Sequence, residues 1–145
     1  MGVFHADLVG IQVRALQRLG AEHAVVVFGR DGMDEVSLGA STLVGELKNG
    51  EITEYEIHPE DFGLTMSSHR ALRVETPEDS RDMLKAVLNN QPGAALNIVA
   101  LNAGVALYAA NVAPTMQAGL KLAQQVLANG QAVEKLNQFI AYTNR

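Results

Sequence analysis

Hydrophobic positions alternate along the chain between segments with helical period and short strand-like runs. Residues 1–4 read as the end of a strand, and residues 7–19 as a helix with Leu8, Ile11, Ala15 and Leu19 on one face. Gly20 is the stop, because it tolerates the left-handed conformation that ends helices. His23-Ala24-Val25-Val26-Val27-Phe28 is then a nearly continuous apolar run without alternation, as expected of a strand covered on both faces of a parallel sheet. This β-α-β opening directs attention to the loop after the run, since open α/β sheets place ligands at the carboxyl ends of their strands. That loop is Gly29-Arg30-Asp31-Gly32-Met33-Asp34-Glu35.

Residues 43–48 and 51–57 flank Asn49-Gly50, a signal for a two-residue type I′ hairpin. Thr53, Tyr55 and Ile57 alternate with Glu54 and Glu56, so one face of the second hairpin strand is expected to be covered. Residues 58–73 show no period and read as loop. Thr76-Pro77-Glu78-Asp79 predicts a helix start, with Thr76 as N-cap and Pro77 in the first helical position, running to about residue 89. Residues 94–111 are almost entirely Ala, Leu, Val, Ile and Asn, which predicts a helix enclosed by protein on all sides. A further helix over residues 115–128 carries Met116, Leu120, Ala123 and Leu127 on one stripe. The last, from residue 131 to about 143, carries Val133, Leu136 and Ile140. The expected fold class is α/β, a mainly parallel sheet with a hairpin and C-terminal helices, forming one unit over residues 1–145.

Composition narrows the chemistry. With 48% hydrophobic and 19% charged residues the 145-residue chain is neither disordered nor collagenous, and no apolar run approaches the roughly 18 residues of a membrane span. No targeting signal is visible at the N-terminus. The absence of cysteine closes thiolate metal sites and thiol nucleophiles, and agrees with a cytoplasmic location. A net charge of -5 disfavours nucleic-acid and anionic-membrane partners. Between residues 30 and 61 nine acids face two bases, whereas 13 of the 20 alanines lie after residue 92. The acidic stretch favours cations nearby.

The adjacent carboxylates Asp34 and Glu35, with Asp31 close by, are the sharpest candidate. Mg2+ is commonly held by one or two carboxylates together with substrate phosphates. Acidic residues in a glycine-containing loop also simply form turns and cap the next element, and spacing alone does not decide between the two. Gly29 and Gly32 lack the lysine ending of a P-loop. His5, His23, His58 and His69 lack the helical pairing of a zinc site, and Ser37, Ser41, Ser67 and Ser68 lack a nucleophile-elbow context. Asn97, Asn102 and Asn111 could line a site, although a buried Asn more often satisfies neighbouring backbone. Met33 and Met116 read as packing residues.

At Asp31-Gly32-Met33-Asp34-Glu35-Val36-Ser37-Leu38 the sequence resembles the anthranilate phosphoribosyltransferase family of tryptophan biosynthesis. Leu16-Gln17-Arg18-Leu19-Gly20, Gly45-Glu46-Leu47, Gly50-Glu51-Ile52, Glu60-Asp61-Phe62-Gly63-Leu64-Thr65 and Leu101-Asn102-Ala103 follow in the family's order, so the resemblance covers essentially the whole chain. It implies a nucleoside phosphorylase/phosphoribosyltransferase-like α/β domain. It further implies that Asp34 and Glu35 bind one of two Mg2+ ions holding the pyrophosphate of phosphoribosyl pyrophosphate, which anthranilate then displaces. The resemblance leaves the role of Asp31 open, since the family tolerates Gly there; Ser37 is expected to support the loop. The family's N-terminal helices, its GTGGD loop and its KHGN segment precede the point matched by Met1. The chain is therefore expected to be the C-terminal part of a larger, homodimeric enzyme and inactive alone. The alternatives are a pyrimidine nucleoside phosphorylase-like relative and a non-catalytic metal- or partner-binding module.

Overall fold

A computed structural model describes residues 1–144. The element order is α1 (Asp7–Arg18), β1 (His23–Gly29), β2 (Thr42–Lys48), β3 (Glu51–Ile57), α2 (Pro77–Leu88), α3 (Ala94–Ala109), α4 (Met116–Ala128) and α5 (Gln131–Thr143). Two 3-10 turns, Pro59–Phe62 and His69–Leu72, interrupt the segment expected to be irregular. Among the described residues no helix is long and apolar enough to cross a membrane.

The α/β class holds, but the expected mainly parallel pairing is corrected within this chain. The three strands lie in the order β1-β2-β3, and both pairings are antiparallel. Val25 faces Glu46, Val26 faces Gly45 and Val27 faces Val44. Among the described residues parallel pairing is confined to the bridge between Gly2 and Val27, where the Val3 N–H donates to Val27 O at 3.0 Å and the Val27 N–H to Met1 O at 2.9 Å. The physical reason is the connection. The β1-β2 link carries no helix to bring the chain back to the strand's starting end, so β2 must run the opposite way.

Burial of β1 on both faces, the basis of the parallel expectation, is nevertheless observed. Val25 and Val27 face α3 in a core with Val36, Leu38, Val44, Leu101 and Val105. Val26 faces the other way, toward Val9 and Val13 of α1, with Leu47. The hairpin turn forms as expected, with Asn49 and Gly50 at φ 52° and 82°, the left-handed pair of a type I′ turn. The buried face of α1 is displaced from the expected one. Val9, Gly10 and Val13 are inside, while Ile11 and Leu19 are 58% and 83% exposed. Gly45 explains the choice: a methyl there would reach 2.8 Å from Val9, so α1 rests directly on the β2 backbone at this point.

Thr76 and Asp79 form a reciprocal capping box at the start of α2, and Thr115 caps α4. The α4 stripe is buried as expected, with Gly119 added to it. Gly119 meets Gly104 of α3 backbone to backbone, because a methyl on either would overlap the other helix. The enclosed surroundings expected for α3 are incomplete, with Val99 43% exposed. No residue of α5 is fully buried: Leu136 is half-covered and Ile140 is exposed.

A polar cluster joins the far end of the sheet to the end of α3. The Glu46 carboxylate, 8% exposed, accepts from the Tyr55 hydroxyl at 2.6 Å and from the Tyr108 hydroxyl, and lies 3.3 Å from His23 Nε2. His23 Nδ1 meets Asn111 Oδ1 at 2.7 Å, and the His23 ring stands edge-on to Tyr108. Lys48 donates to the Tyr108 hydroxyl at 3.0 Å. Burial pushes the Glu46 carboxyl up, but the hydrogen bonds from Tyr108, Tyr55 and His23 outweigh it and hold the group below its usual range.

Two outcomes follow from this packing. Gly104→Ala forces a methyl into the α4 backbone and lowers stability by about 1–3 kcal/mol, measurable by urea denaturation. For Glu46, a depressed folded value means its stabilisation is complete above the unfolded carboxyl range and disappears as pH falls through the folded value. Wild type should lose stability on acidification from neutrality more steeply than Glu46→Gln, which starts less stable; parallel pH profiles in thermal melts would contradict this.

Candidate functional site

The loop after β1 folds back on the strand that produces it. The Gly29 N–H donates to Met33 O at 2.8 Å, the Gly32 N–H to Gly29 O at 2.9 Å, and the Arg30 N–H to Ser41 O at 2.9 Å. These bonds close a tight turn whose tip exposes Asp34 and Glu35 at the carboxyl end of β1, where the sequence places them. Gly2 lies against the loop so closely that a methyl there would overlap the Asp34 carbonyl. The N-terminal segment is thus a wall of the site, a contact with no sequence signal beyond the glycine itself.

The three acids part company. Asp31 turns inward, and its Oδ2 accepts from the Ser37 hydroxyl at 2.7 Å and lies 3.6 Å from His69 Nδ1. Its Oδ1 is buried without a partner, over Gly29. Ser37, completely buried, also accepts from the Gly39 N–H at 2.8 Å, while its own N–H donates to Thr42 Oγ1 at 3.0 Å. Asp31 and Ser37 therefore staple the base of the loop, and Asp31 borders a cavity of ≈ 330 Å³ with Ser67, Ser68 and His69.

Glu35 borders two other cavities. One, of ≈ 660 Å³, is an apolar groove reaching Met33, Leu84, Val99 and Ala103. The second, of ≈ 260 Å³, lies against Met1, Gly2 and Val105. Burial first, and the neighbouring Asp34 charge second, push the Glu35 carboxyl above its usual range. A cation at this pair would relieve the repulsion between the two carboxylates. Behind the pair, Asn102 of α3 holds Val36: the Val36 N–H donates to Asn102 Oδ1 at 2.8 Å, and Asn102 Nδ2 donates to Val36 O at 2.9 Å.

The remaining candidates stay apart. His23 belongs to the Glu46 cluster, His5 pairs with Asp7 at 3.6 Å, and His58 with Glu60 at 3.6 Å. Among the described residues no three His, Cys, Asp or Glu side chains gather to hold a metal ion by themselves. Two carboxylates suit Mg2+ shared with phosphate oxygens, rather than a dedicated protein cage. The Glu60-Asp61-Phe62-Gly63-Leu64 motif is architectural. Asp61 accepts from the His58 N–H at 2.7 Å, Gly63 ends the turn at φ 69°, and Phe62 and Leu64 pack on the core.

Residues 1–133 match the model of a glycosyl transferase family, its a/b domain. The chain belongs to this family. Among its relatives, the anthranilate phosphoribosyltransferase of Paracidovorax citrulli is 73% identical over 143 residues, 99% of this chain and 41% of that protein. The crystal structure of anthranilate phosphoribosyltransferase from Thermus thermophilus superposes with a TM-score of 0.90 at 34% identity, over 99% of this chain and 42% of that one. The Saccharomyces cerevisiae enzyme, solved in complex with PRPP and Mg, shares the fold at a TM-score of 0.84 and 21% identity, over 97% of this chain and 41% of that one. The chain spans about two fifths of the length of these relatives of the glycosyl transferase family.

The electrostatic coupling in the acidic pair is directly measurable. Asp34→Asn removes the like charge beside Glu35 and should lower the pH at which Glu35 titrates, followed by carboxyl-detected NMR. An unchanged Glu35 midpoint would mean that the two carboxylates do not share a site.

Proposed function

We infer that this chain is the C-terminal part of an anthranilate phosphoribosyltransferase, which transfers phosphoribosyl from phosphoribosyl pyrophosphate to anthranilate in tryptophan biosynthesis. The reading is carried by the Asp34–Glu35 pair, two adjacent exposed carboxylates at the end of a doubly buried strand, in a chain of this glycosyl transferase family. Asp34 and Glu35 would hold one Mg2+. Bound there, the ion neutralises charge that accumulates on the departing pyrophosphate, which is electrostatic stabilisation of the transition state.

The chain's own residues set the position of that charge. The Gly29–Met33 turn and the Asp31–Ser37 staple fix the root of the loop. Gly2 backs the Asp34 carbonyl, leaving the carboxylates as the part free to face a ligand. During transfer the anthranilate amine forms a bond to the ribose carbon as the bond from that carbon to pyrophosphate breaks. Effective transfer needs both substrates held in line, and the resemblance assigns that work to segments outside these 145 residues. The complete enzyme is proposed to be a cytoplasmic homodimer without nucleic-acid or membrane partners.

The test follows anthranilate fluorescence in the presence of phosphoribosyl pyrophosphate and Mg2+. The complete enzyme should turn over, and the 145-residue chain alone should not. In the complete enzyme Asp34→Asn with Glu35→Gln should depress turnover and raise the Mg2+ needed for half-maximal rate, because amides keep the shape and lose the charge. Unchanged activity across the Mg2+ titration would remove the metal assignment.

A further inference from the structure

Both donor positions of the Asn102 amide and one position on its oxygen are in use. Oδ1 accepts the Val36 N–H at 2.8 Å, while Nδ2 donates to Val36 O at 2.9 Å and to Ile98 O, one turn back along α3, at 3.0 Å. The partners fix which way the amide lies. Turning it over would set its oxygen against two carbonyls and its NH2 against an N–H. One side chain thus does for Val36 what a neighbouring strand does in a ladder, holding both polar groups of a single buried residue.

The location gives the clamp a second consequence. Val36 directly follows Glu35, and Asn102 borders the same two cavities as the Glu35 side chain. On the other side, the Gly29–Met33 hydrogen bond and the Gly2 contact fix Met33 and Asp34. The Asp34–Glu35 dipeptide is therefore suspended between anchored neighbours, with Gly2 against Asp34 and Asn102 of α3 holding the residue after Glu35. Changing the groups that orient metal-ligating side chains typically costs roughly 10–100-fold in metal affinity.

Building on the metal reading of Asp34 and Glu35, we propose that Asn102 is a positioning residue for that site, clamping Val36 so that the two carboxylates are held ready for the cation. It touches neither cation nor substrate. Its effect is on the freedom of the backbone that carries the ligands.

The experiment uses the 15N-labelled 145-residue chain with inorganic pyrophosphate and Mn2+ as a paramagnetic probe, the pyrophosphate supplying the oxygens that two carboxylates leave open. In wild type, broadening should centre on Asp34 and Glu35, and Asp34→Asn with Glu35→Gln should abolish it. Asn102→Ala should raise the Mn2+ concentration for half-broadening about tenfold, while the His23 and Tyr108 signals stay in place as evidence of an intact fold. An unchanged Mn2+ midpoint in a folded Asn102→Ala, with faster Val36 amide exchange, would show that Asn102 only satisfies backbone and would overturn the inference. No broadening at residues 34–35 in wild type, or broadening that survives the double carboxylate variant, would instead overturn the metal reading and the positioning role with it. Should Asn102→Ala fail to fold, wild type alone decides. Linkage is reciprocal, so saturating Mg2+ should slow Val36 amide exchange by about the same tenfold factor, and an unaltered exchange rate with Mg2+ bound at Asp34 and Glu35 would overturn the proposal.

Discussion

The burial of β1 on both faces is the constraint on which the other features depend. Val26 belongs to the core under α1, and Val25 and Val27 to the core under α3, so a strand of seven residues is held from two sides at once. Such a strand cannot slide by one residue without exchanging its two cores. Its two ends are therefore fixed points, and the polar chemistry of the chain gathers at both. At the start, His23 enters the Glu46 cluster; beyond the end, the chain turns into the Asp34–Glu35 loop.

Helix α3 spans these ends. Through Asn102 it holds the residue after Glu35, and through Tyr108 and the following Asn111 it reaches Glu46 and His23. The same helix meets α4 at the Gly104–Gly119 crossing, where no side chain separates the backbones. These contacts use three different properties of a largely apolar helix: missing side chains for close approach, one amide for a backbone clamp, and one phenol for a buried carboxylate. Apolar residues lie on all sides of α3, including the exposed Val99, which is why it shows no single apolar stripe.

Acidic residues in the loop serve opposite purposes at close range. Asp31 is spent inward on Ser37 and leaves one oxygen buried without a partner, a cost carried where the loop must turn. Asp34 and Glu35 remain outward, and the raised Glu35 carboxyl reflects a partly desolvated place first and their mutual repulsion second. The staple gives the loop its shape and the outward pair its charge.

Local rules were enough for the elements whose signals are local. The Thr76–Asp79 capping box, the Asn49–Gly50 turn and the α4 stripe each lie within a short stretch of chain, and the structure reproduces them. The loop at the end of β1 was legible as well, because a continuous apolar run followed by glycines and acids marks a strand end. Pairing direction was not. An apolar run reports burial on both faces and carries no information about whether its neighbour runs parallel, which the connection between β1 and β2 decides. Nor could period alone choose between the overlapping apolar faces of α1: Gly45, 32 residues beyond Val13, selects Val9 and Val13 by letting the helix approach at that point. The inward turn of Asp31, the Gly2 wall and the Asn102 clamp likewise depend on packing between separate segments. By itself, the sequence determined which segments are helix or strand and where its paired charges stand, since those depend on neighbours along the backbone; only the tertiary structure decided which faces meet and which polar groups hold the site, since those depend on distances set by packing.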